Sequence, residues 1–233
     1  MLYPETTVSG TGLLVWMAVL LLVAFAIPYL CADRFDISRG AYVTVLTVAS
    51  VLLWAGAVLW SGLSLTQVLS WHWLSGLILA PIVSLIPALG IIRMPATRVR
   101  HGGRLATALS WDAGIYGVAE GLLLSALPGF LAWNWVLTLG LDGWTDTLAR
   151  WAVPLTFSVL VIVVHHLGYP EFRHPLGLVQ ACVACGLLTL GYLITGSVWT
   201  PTVGHVLLHS VAVVRGNALP PHSGIGTRRA VAA

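Results

Sequence analysis

Runs of about twenty apolar residues recur along this chain, and few folds can accommodate them. They cover 11–31, 41–60, 73–94, 105–139, 151–168, 176–196 and 199–214. A bilayer core is about 30 Å thick, and a helix rising about 1.5 Å per residue crosses it in about 20 residues. The runs are continuous, without the ten-residue alternating segments of a membrane β-barrel. Only 8% of the 233 residues are charged, against about a quarter in a soluble domain. The expected fold is therefore all-α, a multi-pass transmembrane helix bundle of about seven spans. One membrane domain is expected over 1–216. The tail 217–233, with Pro220, Pro221, Gly224 and Gly226, is expected to be disordered and cytoplasmic.

Charge gives the expected orientation. Lysine is absent, and ten of the eleven arginines fall on alternate linkers: Arg34, Arg39, Arg93, Arg98, Arg100, Arg104, Arg173, Arg215, Arg228 and Arg229. The other linkers hold Glu5, Asp142 and Asp146, with Arg150 as the exception. The positive-inside rule then puts the N-terminus outside and the C-terminus inside a cell membrane. The arginines form no basic face, so no nucleic-acid partner is expected. The first run is too long for a cleaved signal and reads as a span. Trp60, Trp71, Trp73, Trp133, Trp135, Trp144, Trp151 and Trp199 cluster near span ends, where tryptophan anchors to the interface. Cys182 and Cys185 form a C-x-x-C among small residues and read as helix packing, with no disulfide framework.

The ionisable groups left inside the runs are Asp112, Glu120, His165, His166, His205 and His209. A carboxylate in hydrocarbon needs a partner or a wet cavity. Glu120 has no basic neighbour within a helical turn, so its partners must come from other helices. His205 and His209 are four residues apart and share one helix face. His165 reads as structural, bonded to backbone or lining a neighbouring helix. Asp112, with Ser110 and Tyr116, reads as an interfacial carboxylate or a second polar cluster.

Gly117-Val118-Ala119-Glu120-Gly121-Leu122-Leu123-Leu124-Ser125 resembles the first motif, EExxxR, of the CAAX-protease and bacteriocin-processing (CPBP, or ABI-domain) family. Ile162 to His166 resembles the second, FxxxH. The turn Thr195-Gly196-Ser197-Val198-Trp199, with Pro201 and His205, resembles the last, HxxxN. The resemblance covers about 115–212. It implies an intramembrane glutamate-type endopeptidase cleaving a peptide or membrane-associated precursor. Glu120 would activate water with His166 as its partner, and His205 would stabilise the oxyanion with His209 assisting. Three positions depart from the motifs: the second Glu is Gly121, the Arg is Ser125 and the Asn is His209. Loss of the Glu and Arg together removes an i,i+4 ion pair and strands no charge. His209 can donate a hydrogen bond as Asn does, but it can also titrate or bind metal.

Other readings stay open. No cofactor is expected on the peptidase reading. Alternatively, Glu120, His166, His205 and His209 would make a His/carboxylate set for zinc or another divalent metal. A non-enzymatic descendant of the same family, a subunit or scaffold of a larger membrane complex, is the competing class. A metal or proton pathway is the third. Depth raises one further expectation. If 105–139 were a single span starting inside, Glu120 would lie about 22 Å from the cytoplasmic face, far above His166. The spacing therefore predicts a re-entrant or interfacial helix near 105–117, with the true span starting near Val118.

Overall fold

The computed structural model describes residues 8–96 and 99–217. Most of the expected tail, with Arg228 and Arg229, lies outside the described residues, as do Arg98 and Glu5. No strand occurs among the described residues. Helix α1 (Gly10–Pro28) continues through a π-helical turn to Arg34, and α2 spans Arg39–Trp60. A short α3 (Leu65–Ser70) leads into α4 (Trp73–Arg93). A continuous helical run over 102–137 follows. It comprises α5 (Gly102–Ala108), a π-helical segment Leu109–Ile115, α6 (Tyr116–Glu120), a second π segment Gly121–Ala126, and α7 (Leu127–Leu137). Then come α8 (Gly143–Leu167), α9 (Pro175–Thr195) and α10 (Trp199–Arg215).

Several helix starts are written locally. The Ser9 and Ser38 hydroxyls cap α1 and α2 by accepting from Gly12 N–H at 3.2 Å and Ala41 N–H at 3.3 Å. Ser64 and Gln67 form a reciprocal capping box on α3. Each cap satisfies backbone donors that the first turn leaves without a partner.

Six of the helical runs are long and apolar enough to cross a membrane, and α10, at 17 residues, is the seventh long helix. The chain is an all-α, multi-pass membrane protein. The run 102–137 is its central element. In its most apolar window 89% of residues are buried by the rest of the protein, against 17–39% in the other five. The others present one stripe to the bundle and the remainder to lipid.

The expected separate helix near 105–117 is not present. Those residues run straight into α6 through the π segment Leu109–Ile115. A π segment takes up extra residues without breaking the rod, so the excess length is absorbed as local widening. The depth argument still has a counterpart. Contact with the last turns of α8 falls at Glu120, so residues before Tyr116 extend past the end of that helix.

The central run and α10 meet backbone to backbone. A Cβ at Gly117 would lie 2.7 Å from Val206 N, and one at Gly121 would lie 2.5 Å from Thr202 Cα. Two glycines four apart on one face form the small-residue contact that brings membrane helices closest. The turn into α10 is also built locally. Gly196, at φ 67°, ends α9 and donates to Tyr192 O at 2.7 Å. Thr195 and Thr200 bond through their hydroxyls at 2.7 Å, and Trp199 Nε1 donates to Leu69 O at 2.6 Å.

Ion pairs and hydrogen bonds hold Arg39, Arg173 and Arg215 at one end of the bundle. Arg39 on α2 donates to Asp112 at 2.7 Å. Arg173 donates to Asp33 at 2.6 Å, and Arg215 on α10 to Ile92 O near the end of α4 at 3.1 Å.

Candidate functional site

Glu120 is the last residue of α6, the single α-helical turn between two π segments. Segments of that kind recur at functional sites because they re-aim side chains. The carboxylate is buried, and three imidazoles from two other helices face it. His209 Nε2 lies 2.7 Å from Oε2, His205 Nδ1 lies 3.5 Å from the same oxygen, and His165 Nε2 lies 3.7 Å from Oε1. The glycine contact explains the convergence. With α10 pressed on Gly117 and Gly121, the face carrying His205 and His209 is delivered to the neighbouring position, 120. A buried carboxylate without partners would cost several kcal/mol, and here hydrogen-bonding groups surround it.

The sequence-predicted residues do not all meet. Glu120, His205 and His209 come together. His166 does not join them. Its Nδ1 donates to Ile162 O of its own helix at 2.8 Å, and its ring packs edge-on against Phe172 at 4.5 Å. No hydrogen bond or ion pair links it to Glu120 among the described residues. His165, read from sequence as structural, takes the place facing the carboxylate. The two are adjacent, so they point about 100° apart around the helix, and the face toward α6 belongs to His165. The structural part of that reading also holds, since His165 Nδ1 lies 3.1 Å from Ala24 O. A carbonyl only accepts, so Nδ1 carries a proton and neutral Nε2 accepts. Nε2 takes a bond from Tyr169 Oη at 3.0 Å, and Tyr169 in turn is hydrogen-bonded to Tyr42.

Three tyrosines surrounding the site went unremarked as site residues. Tyr116 packs at a tilt against His209 with ring centroids 4.8 Å apart, and Tyr42 and Tyr169 extend the chain from His165. A signal was available. Tyr116 precedes Glu120 by four residues and Tyr169 follows His165 by four, so each lies one turn away. Asp112, four residues before Tyr116, pairs with Arg39 at 2.7 Å and Arg100 at 3.8 Å.

The motif departures find physical roles. At Gly121 a side chain would enter the backbone of α10. Ser125, in the Arg place, joins a buried hydroxyl network. Thr189 Oγ1 donates to Ser125 Oγ at 3.0 Å and lies 2.7 Å from Ser158 Oγ, which donates to Leu124 O at 2.6 Å. That network bonds the second π segment to α8 and α9 without a charge.

The arrangement offers a carboxylate base, imidazoles on both of its oxygens, and one further group. His205 Nε2 is buried and has no hydrogen-bond partner among the described residues. Few buried polar atoms are left in that state. Glu120, His205 and His209 also offer donor atoms that all lie within 4.8 Å of one another, a spacing at which three residues could hold one cation. Fold and composition define a multi-pass helical membrane protein with a buried glutamate–histidine centre. Comparison with protein-family models, with curated proteins and with solved structures gives no match.

Proposed function

We propose that the protein is an intramembrane hydrolase of the glutamate peptidase type, with Glu120 as general base. The observation that carries this reading is the split use of the carboxylate. Oε2 is held by His209 at 2.7 Å, while Oε1 faces His165 Nε2 at 3.7 Å. The second distance is too long for a direct hydrogen bond, and with the Nε2 lone pair taken by Tyr169 it leaves room for a water that donates to Oε1. Glu120 would take a proton from that water as its oxygen attacks a peptide carbonyl. The carbonyl π electrons would move to its oxygen. Collapse of the tetrahedral species would break the C–N bond, and Glu120 would return the proton to the leaving nitrogen. His205, whose buried Nε2 has no hydrogen-bond partner among the described residues, would donate to the oxyanion from Nε2–H. His165, held by Ala24 O and Tyr169, would form one wall of the water site. The resemblance of residues 115–212 to the CPBP motifs supports the same assignment, with His165 in place of His166 as the partner. The expected setting is a cell membrane, N-terminus outside and C-terminus cytoplasmic, with the site near the cytoplasmic end and a peptide or membrane-protein segment as substrate.

The test compares new peptide termini in membranes carrying wild-type protein, Glu120→Gln and His205→Ala at equal abundance. A set of termini that depends on wild type and vanishes in both variants is expected. Identical termini in all three would overturn the hydrolase and favour a non-catalytic subunit. The 4.8 Å cluster of Glu120, His205 and His209 favours a second reading, a divalent metal centre. Stoichiometric zinc in purified wild type, lost in His209→Leu, would move the function to that reading. Metal-free protein that still generates the termini would exclude it.

A further inference from the structure

Next to this site, on the arginine-bearing end of the bundle, lies a cavity of about 1010 Å³. Arg39, Arg100 and Arg104 line it with a single carboxylate, Asp112. Three arginines against one aspartate leave two positive side chains in excess on its walls. Asp112 pairs with Arg39 at 2.7 Å and Arg100 at 3.8 Å, so it orients two guanidinium groups without neutralising the set. Arg104 is exposed and makes no hydrogen bond or ion pair with a described residue. A second, mainly apolar cavity of about 640 Å³ is lined by Ile92, Ala96, Val99, Val211 and Val214 together with Ser210 and Arg215. Val99 lines both cavities, so the basic chamber and the apolar groove adjoin.

We propose that the joined cavities bind an anionic phospholipid, its phosphate among Arg39, Arg100 and Arg104 and an acyl chain along the Val99–Val214 groove. Three observations favour that occupant. Guanidinium forks match phosphate oxygens in pairs, which suits a multi-arginine chamber better than a lone point charge does. The arginines stand where helices α2 and α5 begin, at the level where headgroups meet the ends of membrane helices. The groove is apolar and opens toward the lipid-facing sides of α4 and α10. Polybasic sites at that level attract anionic lipid. The site also touches the Glu120 centre. Arg39 Cζ lies 5.2 Å from the Tyr116 ring, and that ring packs at a tilt against His209 at 4.8 Å. A bound phosphate would therefore draw on the cation that covers Tyr116. The lipid site does not depend on the hydrolytic reading.

The test is native mass spectrometry of the full chain released from nanodiscs of phosphatidylglycerol or phosphatidylcholine. Wild type is expected to retain phosphatidylglycerol and shed phosphatidylcholine. The double variant Arg100→Gln/Arg104→Gln should retain about thirtyfold less, as two basic contacts imply. Val99→Asp, an exposed position that leaves the arginines in place, should lose the lipid as well. Arg34→Gln, at the same end but outside both cavities, should behave as wild type. Melting in detergent verifies that each variant is folded. Equal retention of the two lipids, or equal loss in Arg34→Gln, would overturn the site. Displacement of the lipid by millimolar inorganic phosphate would also overturn it, because the ligand would then be a free anion with no chain in the groove.

Discussion

Gly121→Ala tests whether the backbone contact between the central run and α10 holds the site together. The new Cβ would lie 2.5 Å from Thr202 Cα and 2.8 Å from both Pro201 O and Thr202 N. All three are backbone atoms, so no side-chain rotation relieves the contact. Ordinary contact begins at 3.4 Å, so α10 must retreat by about 0.9 Å. His209 rides on the same helix. Its bond to Glu120, 2.7 Å in the structure, would open to about 3.6 Å, beyond hydrogen-bond range.

Overpacking of this kind costs about 1–3 kcal/mol. Alanine returns up to about 1 kcal/mol of helix propensity, and the lost charge-assisted bond removes about 1.5–3 kcal/mol more. A net loss of about 1.5–5 kcal/mol lowers the melting temperature of a chain this size by roughly 3–20 °C. The assay is thermal unfolding in detergent, with Gly186→Ala as the matched control. A Cβ at Gly186 meets nothing within 4 Å, so that variant should melt at or slightly above wild type. A cycle with His209→Leu then separates packing from the site. If Gly121→Ala acts by opening the Glu120–His209 bond, the two changes should couple by about 1 kcal/mol or more. Melting of Gly121→Ala within about 1 °C of wild type, or additivity within about 0.5 kcal/mol, would refute the reasoning.

His165→Ala should destabilise the protein by about 2–4 kcal/mol, because it removes one of the Tyr169 hydroxyl's two partners and leaves Ala24 O without its donor in a fully buried place; His166→Ala should cost about 1 kcal/mol less, since its ring nitrogen bonds only its own helix. Melting of the pair checks the order, and equal effects would reverse the assignment of the partner histidine. Thr189→Val removes the hub of the Ser125–Ser158 network and should cost about 1–3 kcal/mol, whereas Thr189→Ser should stay near wild type in the same assay. Asp112→Asn should loosen Arg39 and Arg100 at a half-buried pair, costing about 1 kcal/mol or less in melting, and the loss should shrink in high salt.

The fold was legible because membrane helices follow from length and hydropathy alone, and seven runs of that kind admit one fold class. Helix starts were legible where a serine stood before an apolar run, as at Ser38 and Ser64. The middle of the chain was harder. Nothing in Leu109–Ile115 or Gly121–Ala126 spells a π segment, since the same residues serve an α-helix. The excess length of 105–139 was noticed, and a break was expected where the chain instead widens its helix. At the site, Glu120 and the His205/His209 face could be read because ionisable groups are rare in the spans and an i,i+4 pair shares a face. The choice between His165 and His166 could not. Adjacent residues differ only by rotation about the helix axis, and α8 has apolar residues on enough of its circumference that the sequence does not say which face meets α6.

Gly121 and Ser125 connect the motif departures to the packing. An arginine in the place of Ser125 would need a carboxylate partner inside the bundle, and the position one turn before it is Gly121. A carboxylate at 121 would drive its side chain into the Pro201–Thr202 backbone and push α10 off the central run. The two helices can touch through glycine, or they can carry the ion pair, but this backbone separation does not permit both. Choosing contact moves His205 and His209 against Glu120 and leaves position 125 to a hydroxyl that satisfies itself locally with Thr189. His209 belongs to the same choice. At this separation an imidazole spans the gap from α10 to Oε2 in one 2.7 Å bond, and its ring is long enough to pack against Tyr116 as well. The shorter amide of asparagine would reach the carboxylate only from a closer Cα and would leave Tyr116 uncovered. Gly121, Ser125 and His209 are therefore coupled through one helix contact, and Gly121→Glu, Ser125→Arg or His209→Asn alone should fold less well than the wild type.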